Sequence, residues 1–277
     1  MEYLHRHFEE RVDPAQLLPT AQSVIVTALT YQQVTPADWN APDDPKSPRG
    51  RVARYAWGDD YHGIVKGKLF EVVDRMRAEV STSFDVKVCV DTAPVLEREI
   101  GALAGIGWIG KNTMLLSRAL GSYFFIGEIV TTLALAADEV MGDHCGSCRA
   151  CLDACPTHAF PAAYEMDASR CVSYLTIEHR GDIPPALRPG VGDWVFGCDI
   201  CQEVCPFNRR APETTEPGLA ARPGVPRPNL DEMLSRSEQD YRKAVRGSAM
   251  KRAKFEMLRR NAEIARTNLA RAAGDGG

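Results

Sequence analysis

Apolar and polar positions follow two rhythms in the first half of the chain. Residues 23–31, SVIVTALTY, are β-branched and apolar and end in polar residues, which predicts a buried strand. Residues 32–50 carry Pro36, Pro42, Pro45 and Pro48 and predict a long loop. From Tyr61 to Val80 the spacing turns helical, with Ile64, Val65, Leu69, Val72, Val73 and Met76 on one side. Residues 85–90 predict a second short strand with Asp91 at its C-terminal end, and residues 94–103 predict a helix opening just after it. Gly101, Gly105, Gly107 and Gly110 then punctuate a predicted loop. The stretch 122–135 is apolar and β-rich without helical charge patterning, which predicts one or two core strands. Strands alternating with helices indicate an α/β body.

The second half reads differently. Residues 144–206 are rich in cysteine and turn residues. Residues 212–228 hold Pro212, Pro217, Pro223, Pro226 and Pro228 and predict an extended tether. Two helices are predicted beyond it, at 229–244 and 248–271, the second opened by Ser248, and the closing GDGG is predicted to be disordered. No long-period repeat is present. These shifts divide the chain at 1–140, 141–211 and 212–277.

At 277 residues, with 44% hydrophobic and 25% charged positions, the composition is that of a globular protein and excludes wholesale disorder. The longest apolar stretch, 123–137, is interrupted by Glu128, short of the roughly 18 apolar residues of a membrane helix. The N-terminus is too charged for a secretory signal, so the expectation is a soluble, cytoplasmic protein without a membrane partner. The net charge of −4 hides an asymmetry: residues 242–271 carry ten Lys or Arg against Glu256 and Glu263. A basic stretch on an acidic body fits a polyanionic partner, and a solvated helix face fits it equally well.

Cysteine distribution is the sharpest signal. Cys89 stands alone, as a small buried strand residue would; the other eight lie between Cys145 and Cys205. An odd count in a cytosolic chain argues against a disulfide framework and for metal. Cys145, Cys148, Cys151 and Cys155, followed by Pro156, reproduce the bacterial ferredoxin run. In two-cluster proteins the fourth cysteine of that run ligates the other cluster. Cys171, Cys198, Cys201 and Cys205, followed by Pro206, repeat the pattern with the first cysteine moved upstream. The crossed assignment gives one [4Fe-4S] cluster to Cys145, Cys148, Cys151 and Cys205, and a second to Cys155, Cys171, Cys198 and Cys201. Structural zinc is the alternative, but zinc ribbons rarely carry this triple spacing twice. His144 and His158 flank the run as local structure.

An electron wire needs a terminus. The first 140 residues hold no Walker loop, and the GxGxxG at 105–110 lacks the strand–turn–helix context of a dinucleotide site. Its glycines still allow close backbone approach to a large flat ligand. The segments DTAPVLE (91–97), GIGWIGKN (105–112), GSYFFIGEI (121–129), RCVSYLTIE (170–178) and GCDICQEVCPFN (197–208) resemble the cobalamin-dependent epoxyqueuosine reductase family. So do RYAWGDDYH (54–62), RGSAMKRAK (246–254) and RNA (260–262). The resemblance implies a cobalamin-binding α/β catalytic domain over 1–140, akin to that of reductive dehalogenases. It implies a ferredoxin-like module with two [4Fe-4S] clusters over 141–211. The implied reaction removes the epoxide oxygen of epoxyqueuosine in the tRNA anticodon loop, the last step of queuosine biosynthesis. Such a deoxygenation takes two electrons and protonation of the departing oxygen; the clusters would deliver the electrons, and Co(I) could attack carbon.

Asp91 matches the family's proton donor and is expected to have its pKa raised by desolvation against the corrin. A helix N-cap is the bland alternative for it. Arg11 and Arg98 match cobalamin contacts; Lys111 and Asn112 are candidates for corrin amides or a phosphate. Ser173, Tyr174 and Thr176 follow Cys171 where cofactor and cluster should meet. Many family members carry a C-terminal helical-repeat domain that grips tRNA, which this chain is expected to lack, and its start matches a motif normally preceded by further helix. Lys251, Arg252 and Lys254 are the expected tRNA contacts within the basic stretch. An unidentified low-potential electron donor and a monomeric state complete the expectation. A cobalamin-dependent reductase of a small molecule and a ferredoxin-like electron carrier are the alternatives: the first gives the basic stretch no purpose, and the second leaves the first 140 residues unexplained.

Overall fold

The computed structural model describes residues 7–41, 44 and 46–274. Pro42 and Pro45 of the expected loop, and the last three residues of the expected disordered tail, lie outside the described residues. In chain order the regular elements are α1 (Phe8–Val12), β1 (Ser23–Thr30), β2 (Arg51–Val52), α2 (Tyr61–Glu79), β3 (Val86–Cys89), α3 (Glu97–Leu103), β4 (Trp108–Ile109), β5 (Leu115–Leu116) and β6 (Phe124–Thr131). There follow α4 (Ala150–Asp153), α5 (Val172–Ile177), α6 (Arg188–Val191), β7 (Trp194–Phe196), α7 (Ile200–Glu203), α8 (Leu230–Ser235), α9 (Glu238–Ala244) and α10 (Phe255–Gly274). They pack into two compact units, each assembled from separated stretches rather than from consecutive regions. The first takes residues up to Thr30, Tyr61–Cys148 and Phe207–Pro212; the second takes Tyr31–Asp60, Arg149–Pro206 and the chain from Glu213 onward.

The first unit is built on a three-stranded sheet of order β1-β6-β3, antiparallel at both pairings. The sequence rhythm suggested an α/β body, and its origin is visible here. β1 and β3 run in the same direction with α2 between them in sequence, but β6 is inserted between the two strands, giving a split β-α-β. The apolar run at 122–135 forms one strand, and its central place explains why β6 is buried almost throughout. β1, at the sheet edge, is only partly buried along its length, not the fully buried strand expected. On α2 the core face is Val65, Leu69 and Val73, whereas Val72 is turned outward. Gly127 lets α2 lie close on the sheet, since a Cβ there would stand 2.9 Å from both Leu69 and Val65. The helix expected from residue 94 begins at Glu97, and Gly101 belongs to it rather than to the loop that follows.

The second unit holds the shorter elements. Its core brings Trp39 within 5.4 Å of Trp57 and 5.9 Å of Trp194, all three buried, with the Arg54 guanidinium 5.8 Å from the Trp39 ring. The stretch 212–228 is not a tether. Gly50 N–H donates to the Pro228 carbonyl and Val52 N–H to Pro226, while Leu219 and Arg227 are buried. Proline cannot donate a backbone hydrogen bond, but its carbonyl still accepts one. The helix expected over 229–244 breaks at an extended Arg236, and Ser237 caps a new one by accepting from Asp240 N–H. Ser248 does open a helix, but a short 3₁₀ turn over Ala249–Arg252; the long helix α10 starts only at Phe255.

Candidate functional site

In the first unit the chemistry gathers at the C-terminal end of β3. Asp91 leaves the strand in a left-handed conformation, φ 50°. Its Oδ2 accepts from the Tyr61 hydroxyl at 3.0 Å and lies 3.0 Å from His62 Nε2. Tyr61 and His62 open α2, and the Tyr61 ring lies flat on Phe125 of β6, centroids 4.1 Å apart. The helix thus fixes both partners of the carboxyl. Asp91 does not cap α3, whose N-cap position is Leu96 without a side-chain bond. Its side chain is 54% exposed, so the protein by itself does not supply the desolvation expected for it.

Two carboxyls close by are desolvated instead. Glu97, in the first turn of α3, accepts the Asp91 backbone N–H in a short contact. Burial and the neighbouring Asp91 push Glu97 up to about 7. Glu128, on β6, is completely buried, and burial together with Glu97 and Asp91 pushes it up to about 9. Neither of these was read from the sequence as a functional residue. The signal for Glu128 was one acid inside an otherwise apolar strand; Glu97 carried none beyond its place in the DTAPVLE segment.

Among the residues expected to hold a flat organic cofactor, two carry buried polar atoms without a partner: Arg11 Nε and Asn112 Nδ2. Unsatisfied buried donors are uncommon in a protein interior, and such atoms suit a ligand that brings acceptors. Arg98, exposed, donates to the Thr113 carbonyl at 2.6 Å, beside Asn112. Lys111 is engaged elsewhere than expected. Its ammonium donates to the carbonyls of Gly146 and Cys148, at 2.5 and 2.9 Å, and so braces the first cysteine loop rather than standing free for corrin amides or a phosphate. In the second unit Ser173 and Tyr174 are partly exposed on α5. Thr176 is buried; its hydroxyl donates to Val172 O at 2.8 Å and accepts from Gly197 N–H, so it is a packing residue where a cofactor contact was expected.

No disulfide joins any of the nine cysteines. In the first unit Cys145 Sγ accepts from the indole of Trp108 at 3.4 Å. Trp108 is itself packed edge-on against His144 and Phe207. In the second unit Cys155 Sγ accepts from Ala159 N–H at 3.3 Å. Such N–H···S bonds tune the potential of an iron–sulfur centre. Burial pushes the Cys171, Cys198 and Cys201 thiols up; Cys201 also feels Cys171, Cys151 and Cys155, so these side chains lie near one another. Among the described residues no three His, Cys, Asp or Glu side chains close on a single metal ion. A four-iron cubane is larger than one ion, and its thiolate ligands need not close on one point. The cysteines fit that group.

Of the expected tRNA contacts, Lys251 pairs with Asp60 at 2.5 Å and Arg252 holds both oxygens of Glu178 at 2.8 and 2.9 Å, while Lys254 is exposed. Much of the basic stretch is paired in the same way: Arg242 with Glu238, Lys243 with Asp240, Arg259 with Glu263 and Arg266 with Asp231. No described helix is long and apolar enough to cross a membrane.

Comparison with known proteins accounts for both halves of this arrangement. Residues 11–92 match the family model "Epoxyqueuosine reductase QueG, DUF1730", and residues 144–208 match the "4Fe-4S double cluster binding domain". The epoxyqueuosine reductase of Pseudomonas aeruginosa is 43% identical over 95% of this chain and 73% of its own length. That of Escherichia coli K12 is 38% identical over 97% of this chain and 70% of its own. A crystal structure of epoxyqueuosine reductase with an epoxyqueuosine-modified tRNA-Tyr stem loop superposes with a TM-score of 0.89 at 32% identity, covering 97% of this chain and 70% of that one. The Bacillus subtilis enzyme, captured with its catalytic aspartate loop swung out of the active site, superposes at 0.87 and 31% identity, again over 97% and 70%.

Proposed function

The chain belongs to the epoxyqueuosine reductase family, and from that premise we propose how its residues reduce epoxyqueuosine to queuosine in tRNA. It is an oxidoreductase of queuosine biosynthesis with a double 4Fe-4S cluster domain. Asp91 is the proton donor to the departing epoxide oxygen. The observation that carries this role is the Asp91 turn, set left-handed at a strand end with Tyr61 and His62 both on one carboxyl oxygen. A proton donor must be aimed as well as acidic, and these two partners aim it. The relative solved with its aspartate-bearing catalytic loop swung out of the active site supports the reading.

Cobalamin, when bound, supplies the low-valent cobalt nucleophile that the epoxide carbon requires. Arg11 and Asn112, with their unpartnered buried donors, and Arg98 beside Asn112 are the residues of this chain that would hold it. The proposed cluster ligands are Cys145, Cys148, Cys151 and Cys205 for one cubane and Cys155, Cys171, Cys198 and Cys201 for the other. Electrons enter from a low-potential donor protein or reductant. The substrate is the anticodon stem loop, as bound by the relative solved with one. Lys251, Arg252 and Lys254 are available to its phosphates, because exposed ion pairs are worth only ~0–1 kcal/mol and exchange readily.

Anaerobic reconstitution with iron, sulfide and cobalamin, followed by metal analysis after desalting, tests the cofactor set. About eight irons per chain are expected from two four-iron clusters, with one cobalt. Asp91→Asn is expected to keep iron and cobalt and lose deoxygenation of epoxyqueuosine-containing tRNA; wild-type turnover in that variant overturns the donor assignment.

A further inference from the structure

The glycine-rich stretch 105–112, which the proton chemistry does not use, folds into the tight hairpin of β4 and β5. Gly107 lies so close to β5 that a Cβ there would stand 1.7 Å from the Leu116 carbonyl oxygen, so only glycine lets the two strands meet. Gly110 N–H donates to the Met114 carbonyl and Thr113 N–H to that of Gly110, closing the turn that carries Lys111. The hairpin presents Trp108 and Lys111 together, and both reach the first cysteine loop. The indole of Trp108 donates to Cys145 Sγ at 3.4 Å; Trp108 is buried, and its ring is held edge-on by His144 and Phe207. The Lys111 ammonium donates to the carbonyls of Gly146 and Cys148 at 2.5 and 2.9 Å. All of these residues belong to the first unit. The acid of the loop, Asp143, is turned to the backbone, where it accepts from Cys145 N–H at 2.7 Å.

We propose that this hairpin sets a redox potential: Lys111 and Trp108 raise the reduction potential of the iron–sulfur cluster that Cys145 and Cys148 ligate. The inference rests on the assignment of these two cysteines to one cubane. Its physical basis is charge. Reduction of a four-iron cluster adds one electron, delivered by the low-potential donor, and no bond is made or broken at these side chains. An N–H aimed at a ligand sulfur and a cation on the ligand loop both stabilise the more negative, reduced form over the oxidised one. Lys111 holds the carbonyl of Cys148 and that of the residue after Cys145, so its charge is fixed beside both ligands. Because Trp108 and Lys111 leave from one hairpin, they bias the same cluster. Both act through the cysteine loop and are positioning residues.

A potentiometric titration of the reconstituted holoenzyme, followed by the electron paramagnetic resonance of its reduced clusters, tests this, with iron counted in each protein. Two one-electron waves are expected from two clusters. Lys111→Met keeps a long side chain and loses the charge. It should shift one wave about tenfold toward the oxidised form, ~59 mV more negative. Trp108→Phe keeps an aromatic ring and loses the N–H; it should shift the same wave in the same direction by about threefold, ~28 mV. Lys111→Arg keeps the charge and should leave that wave near its wild-type position. All three variants should carry wild-type iron. Unmoved waves in Lys111→Met and Trp108→Phe, or shifts that fall on different waves, overturn the proposal while leaving the clusters in place. A Lys111→Met protein that loses iron also overturns it, because Lys111 would then hold the loop together rather than set a potential. A wild-type protein with far fewer than about eight irons overturns the cluster assignment and this proposal with it.

Discussion

Asp91 is tied to Glu97 through its backbone rather than its side chain. The Asp91 N–H donates to the Glu97 carboxylate, while the Asp91 carboxyl is left to Tyr61 and His62. One residue therefore has its main chain fixed from α3 and its acid aimed from α2. The left-handed φ of 50° is the conformation that lets both happen at once. Aspartate tolerates that region better than most residues, and glycine better still.

That geometry separates stability from chemistry at one position. Asp91→Gly removes the conformational cost of a left-handed non-glycine residue, at most ~1–2 kcal/mol, and keeps the N–H that binds Glu97. Its melting temperature should equal or slightly exceed that of the wild type. Turnover should fall by about 10²–10⁴-fold, the range for loss of a general acid. Thermal melts and a tRNA deoxygenation assay check the two halves separately.

Much of this site was legible in the sequence, and what was not had physical reasons. The strand–Asp91 boundary and α2 came through because period-2 and helical patterning persist wherever one face is buried. The double-cluster domain came through because the spacing of its cysteines is local. Glu128 was visible only as an interruption of an apolar run, since its meaning depends on strand register, which places it opposite Cys89. Thr176 misled because its position beside Cys171 says nothing of where its hydroxyl points; the helix turns it inward to Val172 O. The proline-rich stretch misled because composition reports missing donors and not the carbonyls that Gly50 and Val52 use.

Raised carboxyl pKa values make the protein less stable at alkaline pH. Below the ordinary 4.5, Glu97 and Glu128 are protonated whether the chain is folded or not. As pH climbs, the unfolded chain ionises first and gains in relative stability. The stabilisation is lost until pH passes about 7 for Glu97 and about 9 for Glu128. Glu128→Gln removes the upper part of this loss. The difference in unfolding midpoint between variant and wild type should therefore grow in the variant's favour from pH 7 to 9; a constant difference would mean that Glu128 ionises normally.

Asn112 tests the cofactor face without touching the acid. Its Oδ1 accepts from Met114 N–H at 3.3 Å, but its buried Nδ2 has no partner. An unsatisfied buried donor costs about 1–3 kcal/mol, which a ligand acceptor would recover. Asn112→Leu is expected to weaken cobalamin binding about tenfold or more, the equivalent of one lost hydrogen bond. Stability should change less than binding, because removing the unpaired Nδ2 offsets part of the loss of the Oδ1 that accepts from Met114 N–H. A spectral titration of the iron-loaded protein with cobalamin measures the first effect, and a melt measures the second.

Asn261 marks where the second unit is most sensitive. It is completely buried in α10, and its amide donates to Thr176 O at 2.8 Å and Val195 O at 2.9 Å, joining α10 to α5 and β7. Asn261→Ala leaves two buried carbonyls unpaired and should cost about 2–4 kcal/mol at roughly 1–3 per group with partial relaxation. The RNA segment at 260–262 thus serves as an internal staple. Denaturant unfolding of the variant checks this; loss of less than about 1 kcal/mol would mean that the carbonyls find other donors.

The basic stretch should show itself in salt dependence rather than in stability. Lys251 and Arg252 are exposed and paired with Asp60 and Glu178. Each pair is worth ~0–1 kcal/mol, so the double variant Lys251→Ala with Arg252→Ala should melt within about 4 °C of the wild type. If the two cations move to tRNA phosphates on binding, each contact removes about 0.7–0.9 from the slope of log K against log salt. The variant should bind the anticodon stem loop more weakly at low salt, with a slope shallower by about 1.4–1.8 for two phosphates. The gap from wild type should close as salt is raised, since the lost term is electrostatic. Binding isotherms across a salt series decide it: parallel slopes for variant and wild type would place the tRNA backbone elsewhere on the protein.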